Sequence, residues 1–322
     1  MNYNEFQIRF NKELKSKIHR DVFFDSLFIG GAIAATIILQ LIAPFFFAIF
    51  YEGSIFERLV AFQDDVVALS LLSGVTLVIP FAIVAAIKKP GVKDIYTPKL
   101  KDGGAVLGLL FAAFGAAMAA NLFSGFIVWT AEQAGVFINA PEIGAGSAGY
   151  DVFGKTCFCF FISVIPAICE EFAFRVVTLG MLRKYGDGFA IVVSSLLFSL
   201  LHGNFEQIPF AFLCGLALGY VAVATGSVFI SMAVHFGNNF ISTLLTALDV
   251  SDMVQYRIII LFVIIGIIAA ILLRARKKLV RLNRPIMPAT RGGLYGMFFV
   301  SPLTLISSLF LLGTACLMLE IY

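Results

Sequence analysis

Residues 168–175 read ICEEFAFR and follow DVFGKTCFCFFISVIPA, a stretch in which most side chains are apolar. Glu170, Glu171 and Arg175 therefore stand where lipid or packed protein is expected. An ionisable group inside a membrane span costs roughly 2.5–3.5 kcal/mol on insertion scales, so each needs a partner or a task. Two of the three histidines are equally out of place: His202 in FSLLHGNF and His235 in VHFGNNF, whereas His19 lies in the charged N-terminal segment. A carboxylate partly withdrawn from water binds protons more tightly and can take one from a water molecule near neutral pH. Imidazoles beside it could hold that water, bind a metal, or stabilise the oxyanion formed by attack on a peptide carbonyl, for which Asn239 offers a neutral donor. These groups suffice for peptide-bond hydrolysis by an activated water. Ser199 stands near His202, but nothing marks the two as a nucleophile pair.

Helical spacing arranges these groups further. Glu171 and Arg175 are four residues apart and share a face, so they can pair, whether to fix helix packing, to serve chemistry, or both. Glu170 points about 100° away, so that it can face a cavity while Arg175 neutralises Glu171. His235 and Asn239 also share a face. The sequence KYGDG, 184–188, reads as the turn between two antiparallel helices. Glu170 lies sixteen residues before Gly186 and His202 sixteen after it, which puts both at one level, roughly 24 Å from the turn. A metal-free, glutamate-activated water is the first reading. The alternative is a divalent metal such as zinc, held by Glu170, His202 and His235 with one position open, although no HExxH spacing is present.

The elements that must position these groups are membrane helices. The chain has 322 residues, is 60% hydrophobic and only 13% charged, with a mean hydropathy of +0.96; a soluble domain averages about 25% charged residues. Long apolar runs recur near 23–50, 66–87, 104–130, 152–184, 188–203, 207–224, 227–248, 256–273 and 296–319. They are continuous rather than alternating, which predicts an all-α, polytopic transmembrane bundle of about 8–9 spans around an intramembrane cavity. The first run has no cleavage site close behind it and reads as an anchor. Most of the 23 basic residues fall in one alternating set of loops, which includes Lys93, Lys99, Lys101 and Arg284; the opposite set is mostly acidic. The positive-inside rule then predicts a cytoplasmic N-terminus and, with nine spans, an external C-terminus. Topology and anionic lipid account for the basic loops, so no nucleic acid is expected. Trp129 reads as an interfacial residue, and Gly215–Gly219 as a close helix-packing face. The five cysteines have neither disulfide nor zinc-ribbon spacing.

The motifs EEFAFR, FSLLH and HFGNN, in order on successive spans, resemble the CPBP family of intramembrane proteases, which includes the CAAX prenyl proteases and the Abi proteins. The resemblance covers roughly residues 152–248. It implies an intramembrane endopeptidase in which Glu170 activates the water and His202 assists it, His235 and Asn239 complete the oxyanion site, and Glu171, Arg175 and Phe198 support them. The chain then divides into a basic cytoplasmic segment, 1–22; spans without an assigned motif, 23–150; a protease-like core, 151–250; and C-terminal spans, 251–322. The expected partners are the lipid bilayer and a membrane-associated peptide or protein substrate, and the expected location is a bacterial plasma (inner) membrane. Two other functions use the same groups: a proton-coupled transporter, and a non-catalytic binding or immunity protein on the same scaffold. The sequence does not set the oligomeric state.

Overall fold

The structure is a computed structural model that describes residues 3–50, 52–55, 57–58, 65–90, 100, 102–138, 149–283 and 291–321. Lys93, Lys99, Lys101 and Arg284 of the basic loops lie outside the described residues, as do 59–64 and 139–148 of the acidic ones.

In hydrocarbon every backbone N–H and C=O needs an internal partner, and the chain meets this with helices. Helix α1 (Tyr3–Phe47) joins the charged start to the first apolar run without a break. Next come α2 (Val66–Lys88), α3 (Gly103–Gln133) and α4 (Val152–Glu171). Each of these three begins at an aspartate whose carboxylate accepts a first-turn N–H: Asp65 from Ala68, Asp102 from Ala105 and Asp151 from Gly154. The chain continues through α5 (Asp187–Leu201), α6 (Gln207–Thr225), α7 (Val228–Ala247), α8 (Asp252–Ala275), α9 (Arg291–Val300) and α10 (Pro302–Leu317). Two three-residue strands, β1 (Val136–Ile138) and β2 (Leu319–Ile321), pair antiparallel.

Among the described residues seven helices are long and apolar enough to cross a membrane, and the bent pair α9–α10 makes an eighth if taken as one span. The chain is thus an all-α integral membrane protein. The runs at 188–203 and 296–319 depart from simple spans. The first forms the 15-residue α5, and the second bends by 83° between α9 and α10. Pro302 explains the bend, because it lacks the N–H that would continue α9 and is suited to a first helical position.

Beyond Glu171 the α4 helix widens. Residues Phe172–Leu179 are π-wound, and the Thr178 hydroxyl donates to the Ala173 carbonyl five residues back at 2.9 Å. Such wide turns concentrate at functional sites. The helix ends in a tight turn, Arg183–Tyr185, and reverses at Gly186, whose φ of 123° suits only glycine. The buried carboxylate of Asp25 on α1 fixes this reversal by accepting from Lys88 (3.1 Å), Lys184 (2.6 Å) and the Tyr185 hydroxyl (2.8 Å). Asp187 adds a salt bridge to Arg183 at 2.8 Å and accepts the Asn283 N–H at 2.8 Å. The turn that sets the relative heights of α4 and α5 is thereby tied to α1, α2 and the segment after α8.

Two cores flank the centre. One joins α1, α2, the π-wound segment and α5 through residues such as Ile29, Phe81, Phe174 and Leu197; the other joins α3, α6 and α8 through Leu109, Met118, Leu218 and Leu273. The expected packing face on α6 is present: a Cβ on Gly215 would meet Ser195 at 3.0 Å, and one on Gly219 would meet Ile191 at 3.1 Å. Gly115 and Gly266 bring α3 and α8 closer still, with a built Cβ on either 2.6 Å from the other's Cα.

Candidate active site

Glu170, His202, His235 and Asn239 all line one cavity of about 1220 Å³ between the two cores. Phe198 lines it too, whereas Glu171 and Arg175 lie behind the wall, fully buried.

His235, on α7, is held at both ring nitrogens. Its Nδ1 lies 3.1 Å from Glu171 Oε1, a hydrogen bond in which the carboxylate can only accept. Its Nε2 lies 3.6 Å from Glu170 Oε2, a separation that invites a water touching both. The two adjacent glutamates thus divide their tasks by direction: one grips the buried side of the ring, the other meets its cavity side. Glu171 is fixed in turn by the Ser231 hydroxyl, which donates to Oε2, and by Arg175, whose Nε is 3.4 Å from the same oxygen. Ser231 stands one turn before His235 on α7, so one helix supplies both the imidazole and part of its anchor.

His202 ends α5. Its Nδ1 is 2.9 Å from the Phe198 carbonyl, which can only accept, so Nδ1 carries the proton and Nε2 is the nitrogen left for chemistry. The Asn204 amide donates to the His202 carbonyl at 3.1 Å and steadies the helix end. Phe198 organises the rest. Its ring meets His202 edge-on at 4.9 Å and His235 edge-on at 5.7 Å, while the Arg175 guanidinium lies over it at 4.7 Å from the centroid. One aromatic ring therefore spaces both histidines and covers the buried cation.

The donor set for a metal does not come together. Among the described residues no three of His, Cys, Asp and Glu form a group that could hold a metal ion, and Glu170, His202 and His235 are no exception. The five cysteines are unpaired thiols, and Cys214 alone of them lines the cavity.

The cavity also draws on helices that carry no ionisable anomaly in mid-span. Ser70 and Ser73 come from α2, Asn121, Ser124 and Glu132 from α3, and Tyr256 from α8. On α3 the sequence signal was a polar stripe: Asn121, Ser124 and Glu132 share one helical face, and Val128, between them on that face, lines the cavity too. Trp129, the expected interfacial residue, stands at the same wall, 56% exposed. Ser231 carried a similar signal, a hydroxyl four residues before a histidine.

Residues 153–241 match the model of the family described as type II CAAX prenyl endopeptidase Rce1-like. The chain is also similar to the membrane-embedded CAAX protease MroQ of Staphylococcus aureus (strain USA300), with 35% identity over 89 residues. That alignment covers 26% of this chain and 36% of MroQ, so the chain spans about a third of the length of its curated relative. No solved structure matches the chain. The matched stretch contains both glutamates, Arg175, Phe198, both cavity histidines and Asn239, and it is in these residues that the chain is similar to CAAX-type membrane-embedded proteases.

Proposed function

We propose that this chain is an intramembrane endopeptidase that cleaves a membrane-associated peptide or protein with a water activated by Glu170. The observation that carries this reading is the double hold on His235, with Glu171 at Nδ1 (3.1 Å) and Glu170 near Nε2 (3.6 Å) at the wall of a large cavity. A water between Glu170 and Nε2 gives its proton to the Glu170 carboxylate as its oxygen bonds to the scissile carbonyl carbon. The carbonyl π electrons move onto oxygen, where Asn239 and a protonated Nε2 of His235 donate to them. His202, through Nε2, assists the attacking water. When the C–N bond breaks, Glu170 returns its proton to the leaving nitrogen. No step calls for a metal.

The basic loops support a cytoplasmic N-terminus, and the similarity to a Staphylococcus aureus membrane protease supports a bacterial plasma membrane, with the bilayer and a membrane-associated chain as partners. The test begins with proteomics of membrane fractions carrying wild type or Glu170→Gln, which identifies polypeptides shortened only by wild type. Purified Glu170→Gln, His202→Ala and His235→Ala are then assayed on those substrates. Each loses about 10³-fold or more in cleavage rate while unfolding near the wild-type temperature. Undiminished cleavage by Glu170→Gln sinks the assignment.

A further inference from the structure

Asn239 can serve an oxyanion only if its NH₂, and not its carbonyl, faces the cavity. A carboxamide is nearly symmetric in shape, so packing alone does not choose between the two orientations. A chain of amides makes the choice. Asn121 Nδ2 donates to Asn238 Oδ1 at 2.9 Å, and Asn238 Nδ2 donates to Asn239 Oδ1 at 3.3 Å. Taken alone, these bonds could all be reversed by flipping the three amides together. The first link breaks that symmetry: Asn121 Nδ2 also donates to the Ala117 carbonyl of its own helix at 3.3 Å, and a backbone carbonyl can only accept. Asn121 Oδ1 therefore cannot turn toward Ala117, Asn238 must present its oxygen to Asn121, and Asn239 must present its oxygen to Asn238. The Asn239 NH₂ is what remains for the cavity, which all three asparagines line. Asn238 is 2% exposed, so water does not substitute for the relay at its middle.

We propose that Asn121, on α3 and outside the segment that matches the protease family, is a positioning residue that fixes the donor face of Asn239 toward the cavity. The catalytic consequence rests on the peptidase reading above; the orientation itself does not.

Asn121→Asp tests both parts. Its carboxylate only accepts, so Asn238 turns to donate to it, Asn239 turns to donate to Asn238, and the cavity receives a carbonyl oxygen. With a substrate identified as above, kcat falls about 100-fold with KM nearly unchanged, as when an oxyanion donor is lost. In an Asn239→Ala background the same substitution costs less than twofold, whereas a purely structural defect would cost the same factor in both. The orientation is read without substrate in protein labelled with ¹⁵N-asparagine in detergent. The Asn239 carboxamide protons exchange with water quickly in wild type and at least tenfold more slowly in Asn121→Asp. If Asn121→Asp does not fold, Asn238→Asp reverses Asn239 in the same way, since it accepts from Asn121 and cannot donate onward. Unchanged Asn239 exchange, or equal losses in both backgrounds, overturns the proposal. The expected exchange reversal in a protein that cleaves nothing leaves the relay standing and removes the peptidase reading instead.

Discussion

Replacing Glu171 with glutamine separates the structural task of the second glutamate from its chemical one. Glu171 and Arg175 are both 0% exposed. Two of the guanidinium nitrogens, Nε and Nη1, have no hydrogen-bond partner among the described residues, and Nη2 reaches only the Gly215 carbonyl at 3.4 Å. The cation is thus held by the charge of Glu171 and the face of Phe198 rather than by aligned hydrogen bonds. Glutamine keeps an acceptor for Ser231 but removes the charge. Leaving one member of a buried pair unmatched costs about 3–5 kcal/mol, which lowers the unfolding temperature by about 5–15 °C for a chain of this class. The double variant Glu171→Gln/Arg175→Met has no unmatched charge and should recover to within a few degrees of wild type, since apolar replacement of a buried pair is often neutral. Activity should not recover. In both variants His235 Nδ1 faces a neutral amide, and losing the carboxylate that orients a histidine costs about 10⁴-fold in kcat. Unfolding is followed in detergent by a thiol-reactive dye at the buried Cys159 and Cys214, and cleavage on the substrates found by proteomics. A Glu171→Gln protein that unfolds within a degree of wild type refutes the ion-pair argument. A double variant that cleaves normally refutes the orienting role and leaves Glu171 as a packing residue.

Three further outcomes are expected. EDTA or 1,10-phenanthroline leaves cleavage by the purified protein unchanged; loss that zinc restores would overturn the metal-free mechanism. Glu206, at the start of α6, is held above the ordinary carboxylate range by loss of water and then by the neighbouring charge of Glu132. A carboxyl with a raised folded-state pKa contributes stability below its unfolded value that is lost as pH rises through the folded one. Glu206→Gln should therefore unfold at a higher temperature than wild type at pH 8, with the gap closing at pH 4; equal unfolding temperatures at pH 8 would contradict the strained carboxyl. Finally, with the five native cysteines replaced, a membrane-impermeant maleimide added to spheroplasts should label Glu132→Cys at the far end of α3 but not Lys184→Cys at the turn after α4. The opposite pattern would reverse the orientation drawn from the basic loops.

What the sequence revealed depended on how costly each residue is in hydrocarbon. Glu170, Glu171, Arg175, His202 and His235 stood out because a charge in a span demands an explanation; Glu170 and His202, spaced equally about Gly186, line one cavity. The Glu171–Arg175 pair was legible as well, since four residues bring two side chains together. The π-winding of Phe172–Leu179 was not legible. It depends on how that segment packs against α2 and α5, and no residue type announces it. The short α5 was hidden for a related reason: 188–203 is as apolar as its neighbours, and only the positions of Gly186 and the helix end at His202 limit it to 15 residues.

Ser231, Asn121 and Asn238 escaped notice because a hydroxyl or carboxamide costs little in a span and is common where helices pack. Yet these inexpensive residues decide how the costly ones point. Ser231 donates to the carboxylate that grips His235, and Asn121 begins the relay that ends at Asn239. On α3 the polar positions 121, 124 and 132 face the cavity, while Phe123 and Phe126 are 49% and 60% exposed on the outer side. That division is what a wall between a wet hollow and lipid must have. It follows that the family-matching segment 153–241 is not a self-sufficient site. It carries the charges, but one wall of the hollow and the first link of the amide chain come from a helix that ends twenty residues before it begins.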